Sequence, residues 1–588
     1  MKDDFALLDL PAGGALLFER HVRTLQVSDA PSFDAACQTA LQETAAGRHV
    51  VAALDYELGH VLEPLAGQTH GTVAHFWIFA ARRELDASAL TQWLSSVGAE
   101  PPAPAALAAF APEIAAARHA AAIARIHDYI AAGDCYQVNY TFSLSGRCVG
   151  DPFALYLRLR RVQPVACGGF VRVSECGGGT ILSLSPELFI ERTGRRIVSR
   201  PMKGTAPRKH DSLADAEARR ALQQSVKDRA ENVMIVDLIR NDLGRIARSG
   251  SVKVESLCEV ETYPSVHQMV SSVSAESDAD LATVIRAMFP CGSITGAPKL
   301  RAMQIIRELE TTPRALYTGA LGWIGAGGDF RFNVAIRTLQ VDAAGVARMG
   351  VGSGIVRDSD AADEYAECLL KSRFARAIDP GFRLIETMLL AEGDCPLQGR
   401  HRERLSASAE ALGFSFALAD FDAEMAALRV TYPRGHHRVR LTLGYSGDIE
   451  VAVAKLDATL PDQRCIVATG TLDSTDPWLR HKTTQRARYD AESARVAAMP
   501  GIFDAIFLNE CGEVCEGARS SVFIRRVADG SLLTPPLSCG LLPGVLRAEL
   551  LAQGQAVEAV LRPEDLRTAA ELYLGNALRG LVPVRLAY

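Results

Sequence analysis

In "KDRAENVMIVDLIRNDLGR", residues 227–245, apolar side chains recur with helical, 3.6-residue periodicity. The pattern extends upstream, so one continuous helix is expected over 211–244. Asp228 and Glu231, three residues apart, share one face of it. A second helical pattern, 359–378, contains "DEYAECLLKSR", which sets Glu364, Glu367 and Lys371 on one face at i, i+3 and i+7. Either acidic face alone is what solvated surface helices routinely carry. Brought together by a fold, the two would suit a hard cation such as Mg²⁺, which takes one or two protein carboxylates and leaves positions for substrate oxygens and water.

Outward from these helices lie segments of a different kind. "RPMKGTAPR" (200–208) sets Lys203 in a Pro/Gly turn, where a solvated lysine is the ordinary occupant. "GVGSGIV" (350–356) follows a strand pattern, and the N–H groups of Gly352, Ser353 and Gly354 can meet an anion, as can those of Gly204 and Thr205. "FPCGSITGAPKLRAMQII" (289–306) places a Gly/Ser/Thr loop containing Thr295 ahead of a helix, with Pro298 near its first turn. A helix start of this kind can hold a carboxylate. His267 in "YPSVHQMVSSV", Tyr317 in "YTGALGW" and Arg337 in "FNVAIRTLQ" are polar residues inside strand-like patterns, each as readily structural as functional.

At 588 residues the chain exceeds one core, since a domain takes about 100–200 residues. Apolar residues at 48% and charged residues at 22% are ordinary for a soluble globular protein. A net charge of −6 with both signs interspersed gives no basic stripe for nucleic acid. The N-terminus does not read as a secretory signal, and the Ala-rich stretch 103–126 is too interrupted by Pro, Glu, Arg and His to span a membrane. Thirteen scattered cysteines point to a reducing cytoplasm. Cys511 and Cys515 lack the partners of a zinc site. Residues 98–113 read as a surface linker into a helix that stops at Gly133. Strands are expected at 135–146, 181–192, 195–200, 251–256 and 347–356. The Pro-Gly break at 378–382 divides the chain into expected domains 1–377, with an N-terminal subdomain of about 100 residues, and 382–588.

"SLSPELF", "PMKGT", "KDRAENVMIVDLIRNDLGR", "YPSVHQMVSSV", "GSITGAPK", "YTGALGW", "NVAIRTL", "GSGIV" and "DEYAECLLKSR" occur in this order and together resemble the chorismate-utilising enzymes. The resemblance implies an α+β fold, a two-sheet α/β sandwich with the site between the sheets. It implies Glu231 and Glu367 as Mg²⁺ ligands with Asp228 and Glu364 close by. Gly204, Thr205, His267, Thr295, Tyr317, Arg337, Lys371 and the 352–354 backbone would bind chorismate, and Glu187 matches the general acid/base position. Lys203 is what members aminating the ring at C4 carry before Gly-Thr, where members aminating C2 have Ala. A lysine there can attack C2 and be displaced by ammonia at C4. Met202 departs from the commoner Ile by a near-isosteric swap.

Beyond the break, "HRERLSASAEALG" (401–413), "WLRHKTTQRARYD" (478–490), "EVCEGARSSVFI" (513–524), "LLPGVLR" (541–547) and "LYLGNALRGLVPV" (572–584) resemble the fold-type IV pyridoxal-phosphate enzymes, which include aminotransferases and an aminodeoxychorismate lyase. The resemblance implies Lys482 as the lysine that binds pyridoxal 5'-phosphate (PLP) covalently. Arg404 would hold its phosphate with Gly544, Val545 and Asn576, and Glu516 would pair with its ring nitrogen. "RLIETMLL" has Ile where Phe is commoner before Glu386. Two such domains in one chain imply successive steps from chorismate to 4-aminobenzoate. The alternatives are a C2-aminating domain fused to an aminotransferase, which Lys203 opposes, and a non-catalytic second domain, which Lys482, Arg404 and Glu516 together oppose. No glutaminase nucleophile is visible, so ammonia is expected from a separate amidotransferase subunit, and the second domain is expected to form a homodimer.

Overall fold

The computed structural model describes residues 4–587 apart from 12, 64–70, 176–178, 210, 264–265, 377 and 458–461. Pro264 and Ser265 of the His267 motif, and Ala377 at the expected end of the first domain, lie outside the described residues. The chain divides into two compact units, one ending at Ile378 and one beginning at Asp379. Both mix helices and strands, the α+β class expected from the sequence. No helix among the described residues is long and apolar enough to cross a membrane. The described cysteines are free thiols, all buried except Cys511.

In the first unit the strands join one antiparallel network. From Lys253–Thr262 the ladder passes through Val266–Glu276, Arg196–Arg200, Leu188–Thr193, Phe330–Val334, Ala320–Ile324, His49–Leu54 and Ala74–Leu85 to Ala15–Val27. It continues from Phe5–Asp9 through Gly169–Arg172, Thr180–Ser183, Thr338–Val341 and Val346–Ile355 to Gln137–Val149. Phe189, Ile190 and Ile197 near one end of this path share a core with Val138, Tyr140 and Ile355 at the other. The ladder thus folds back on itself. The two layers of the sandwich are halves of one sheet, packed with the helices Ala30–Ala45, Val226–Gly244 and Lys299–Leu309.

Three sequence expectations are corrected locally. The helix expected over 211–244 is two, Ser212–Gln224 and Val226–Gly244, because Ser225 leaves the helical conformation and its hydroxyl accepts from the Asp228 N–H to start the second. The linker contains a strand, Ala106–Pro112, because Ala106, Leu107, Ala108 and Phe110 are buried when paired with Gln137–Val149. The strand expected over 181–192 is interrupted at 184–187, where the Ser185 hydroxyl donates to the Val334 carbonyl and accepts from the Glu187 N–H. Gly133, in the left-handed region at φ +80°, follows the helix Ala116–Ala131 as expected.

The second unit pairs Leu384–Ala391 with His436–Leu443 and Ile449–Lys455 in a three-stranded antiparallel sheet. A second, eight-stranded sheet is mixed, with Arg464–Leu472 and Ile502–Asn509 running parallel.

Candidate active sites

In the first unit, Lys203 sits in a β-bulge. Between Met202 and Thr205 the strand Met202–Pro207 holds one residue more than its partner, and Gly204 takes up the strain at φ +83°. A Cβ on Gly204 would come within 2.9 Å of the Asp228 side chain, so the position needs glycine twice over. The bulge turns Lys203 toward Glu187 and Glu231, its opposite-charge neighbours. Loss of water pulls the amine below lysine's ordinary range, and these two carboxylates only partly oppose it.

Glu187 is 3% exposed, and burial pushes its carboxyl up to about 7. The Ser293 hydroxyl donates to it at 2.9 Å and restrains that rise, as do Lys203 and the backbone N–H of Met202. Burial also raises Glu231, with Lys203 and Lys227 opposing and Asp228 and Glu367 adding to it. Two carboxylates from separate helices are therefore near enough to repel one another. Among the described residues no three His, Cys, Asp or Glu side chains form a metal-holding group. A pair of carboxylates with further positions open still fits Mg²⁺, which keeps water and substrate oxygens in its shell.

Lys371 pairs with Glu367 at 2.8 Å and donates to the Gly352 carbonyl at 2.9 Å. Gly350, Gly352 and Gly354 lie on one face of their strand. A Cβ at these positions would meet the Tyr317 ring, Thr141 and the Gln137 amide respectively. Missing side chains therefore let these three groups pack directly onto the strand, with the Tyr317 ring over Gly350. Ser353 points the other way, beside Cys368. Arg337 is half-buried at φ +50°, burial pulls its pKa below arginine's ordinary range, and no described residue forms an ion pair with it. An unpaired, desolvated guanidinium is a ready anion ligand.

Other predicted residues have engagements of their own. Both ring nitrogens of His267 are taken, by Thr262 at 3.1 Å and Asp215 at 3.0 Å. The Thr295 hydroxyl donates within its own turn to the Cys291 and Gly292 carbonyls. The Thr205 hydroxyl bonds Gln268. Glu364 accepts from the Ser359 hydroxyl at 2.7 Å and lies near buried His119. Ser293 was not singled out in the sequence, although it stands inside the "GSITGAPK" motif.

In the second unit, Lys482 donates to the Thr387 hydroxyl at 3.0 Å, and its carbonyl accepts from the Ile385 N–H at 2.8 Å. Burial, then the neighbouring Arg404 charge, pulls its amine down to about 7. Glu516 is buried and pushed up to about 7, and the Tyr489 hydroxyl donates to it at 2.6 Å. Arg404 donates to both oxygens of Glu386, which also meets His401, and to the Pro543 carbonyl. Gly544 next to it caps the helix Val545–Ala552 without a side-chain bond, leaving the first helical N–H groups open. A Cβ on Gly544 would lie 2.4 Å from the Ser521 hydroxyl. This set fits PLP: a lysine neutral near pH 7, an arginine beside an uncapped helix start, and a buried carboxyl that a ring cation would return to its charged form. Asn576 instead clamps its own turn, accepting from the Leu578 and Arg579 N–H groups and donating to the Arg519 carbonyl. Glu386 went unassigned in the sequence, where only its unusual Ile neighbour stood out.

Residues 18–377 match the family described as chorismate binding enzyme, and residues 383–587 match the amino-transferase class IV family. Over 245 residues, 41% of this chain and 53% of the relative, it is 45% identical to the aminodeoxychorismate synthase component 1 of Klebsiella aerogenes. It is 42% identical over 253 residues, 43% of this chain and 49% of the relative, to the anthranilate synthase component 1 of Streptomyces coelicolor. The chain spans about half the length of these curated relatives. Among solved structures, anthranilate synthase component I from Streptococcus pneumoniae aligns with a TM-score of 0.53 at 26% identity, covering 63% of this chain and 93% of that one.

Proposed function

Since the chain belongs to the chorismate binding enzyme family, we propose that its first unit aminates chorismate at C4 and its second removes pyruvate from the product, leaving 4-aminobenzoate. The observation that carries this reading is Lys203, set in its bulge within electrostatic reach of Glu187 and Glu231 and partly withdrawn from water. The similarity to a relative named aminodeoxychorismate synthase component 1 supports it. Likeness to an anthranilate synthase component 1 leaves C2 amination as the competing reading, and a nucleophilic lysine at this position favours C4.

Lys203, as the free amine, attacks C2 of the ring while the C4 hydroxyl departs as water with the proton from Glu187. A carboxyl near pH 7 can give that proton and recover it. Ammonia then bonds to C4 and the Lys203 nitrogen leaves C2, so one difficult substitution becomes two easier ones. Arg337, Tyr317 and the Gly352–Gly354 backbone orient the substrate. Glu231 and Glu367 would hold Mg²⁺, which supplies positive charge to a substrate carboxylate. The ammonia comes from glutamine through a separate amidotransferase subunit.

In the second unit PLP, when bound, supplies an electron sink for carbanion chemistry. Lys482 would hold it, Arg404 would take its phosphate and Glu516 would keep its ring nitrogen protonated. Lys482 then accepts the proton from C4 of the aminated ring, the C3–oxygen bond breaks to release enolpyruvate, which takes up that proton to become pyruvate, and the ring becomes aromatic. Purified protein given chorismate, Mg²⁺ and an ammonium salt is expected to release 4-aminobenzoate. Release of 2-aminobenzoate overturns the first assignment, and accumulation of the non-aromatic amine overturns the second.

A further inference from the structure

Glu386 has no place in the chemistry above, yet it is 1% exposed and carries the densest set of charge-assisted bonds in the second unit's site. Arg404 Nε donates to its Oε1 at 2.8 Å and Arg404 Nη2 to its Oε2 at 2.6 Å. His401 Nδ1, on the same helix Gln398–Leu412, meets Oε2 at 2.6 Å and is itself 1% exposed. Arg404 Nη1 is tied at 3.2 Å to the Pro543 carbonyl, one residue before the Gly544 cap of the helix Val545–Ala552. Both oxygens of Glu386 are therefore occupied, so it is unsuited to act as a base. What the contacts do is fix the plane of one guanidinium beside an uncapped helix start. A two-point carboxylate clamp removes the rotational freedom that an arginine otherwise loses when it takes up an anion. Buried ion pairs are weak sources of net stability, and replacing one by apolar groups is often harmless, so stability alone does not account for this one.

We propose that Glu386, backed by His401, is a positioning residue that presets Arg404 for a phosphate group. This role rests on the PLP reading of the second unit. It differs from a purely structural role in one measurable way. A positioning residue for phosphate matters only for a ligand that has one, whereas a damaged pocket loses ligands with and without it.

The test titrates the full chain, freed of bound aldehyde, with PLP and separately with pyridoxal, which has the same ring and aldehyde and no phosphate. Binding is followed by the visible absorption of the lysine-bound aldehyde. Glu386→Gln is expected to weaken PLP about 10–100-fold, the usual cost of losing a group that orients a ligand contact, and to leave pyridoxal within about twofold. His401→Asn, which leaves both ions in place, is expected to shift PLP binding in the same selective direction by a smaller factor. It serves as the deciding variant if Glu386→Gln does not fold. Equal weakening of PLP and pyridoxal, or no change in either, overturns the proposal. If the unaltered protein develops no such absorption with PLP, the cofactor reading falls and the proposal with it.

Discussion

Replacing Ser293 by alanine tests whether Glu187 is the titrating acid of the first unit. The Ser293 hydroxyl donates to Glu187 Oε1 at 2.9 Å, with the two residues 4% and 3% exposed. Burial drives the Glu187 carboxyl up to about 7, and this hydrogen bond is the largest influence holding it down. A hydrogen bond to a buried charged group contributes about 1.5–3 kcal/mol, and one pKa unit corresponds to about 1.4 kcal/mol. The bond favours the ionised carboxylate, so its loss raises the pKa by about 1–2 units, to roughly 8–9. One apparent pKa of kcat/KM for chorismate is therefore expected near 7, and in Ser293→Ala about 1–2 units higher. Whichever limb of the profile it governs, the displacement is toward alkali. The profile must be taken at a fixed concentration of free ammonia, because ammonia itself titrates. An apparent pKa that stays in place or moves toward acid, in a variant with an unchanged circular-dichroism spectrum, refutes the assignment.

Lys203→Ala is expected to lower C4 amination by about a thousandfold or more, the scale seen when an enzyme nucleophile is removed, and to release some 2-aminated product. Unchanged formation of the C4 amine, measured by product chromatography, sinks the covalent role. Lys482 is lowered from 10.5 to about 7 by burial and Arg404, so its free amine prevails above about pH 7. The rate of PLP uptake should rise with pH and level off there, and a rate still climbing toward pH 10 contradicts that. Arg314 is buried against Glu310, donates to the Ile294 and Asn139 carbonyls and stacks 4.3 Å over Tyr56. Arg314→Met strands the Glu310 charge and should cost the first unit about 3–5 kcal/mol in denaturant unfolding, with part regained in Arg314→Met/Glu310→Gln. Equal stability of the two variants would show the pair to be uncoupled.

What the sequence made legible was order and periodicity. The helices bearing Glu231 and Glu367 and the strand of Gly352 announce themselves in apolar spacing and glycine placement. The Lys203 bulge does not, because it depends on register with a strand some 60 residues away in the chain, and Met202–Pro207 contains nothing local that counts residues on Val266–Glu276. The strand Ala106–Pro112 was hidden for a similar reason. Alanine is a poor strand former, and only pairing with Gln137–Val149 decides its state. Among the site residues, charge was easier to read than partnership. Lys203, Glu187 and Glu231 come together, but Glu364 turns to Ser359, His267 is held between Thr262 and Asp215, and Asn576 clamps its own turn. Ser293 and Glu386 were overlooked because each acts on a neighbour that only the fold supplies.

The two units carry their candidate sites on separate sheets, yet they treat their charged residues alike. Each has a lysine whose amine burial lowers and a glutamate whose carboxyl burial pushes up to about 7. Burial is likewise the first influence on Lys203 and Lys482, in the opposite direction. Burial thus favours the uncharged form of acid and base alike, which works against a permanent ion pair. In the reactions proposed above, a lysine that attacks carbon and a lysine that condenses with an aldehyde share one requirement, a free amine. Direct ion pairing to the nearby glutamate would defeat that by stabilising the ammonium. In the second unit the pairing is diverted: Arg404 takes Glu386, and Glu516 is bonded by Tyr489. In the first unit Ser293, not Lys203, supplies the hydrogen bond to Glu187. In each unit a hydroxyl, and not the lysine, therefore satisfies the buried glutamate oxygen.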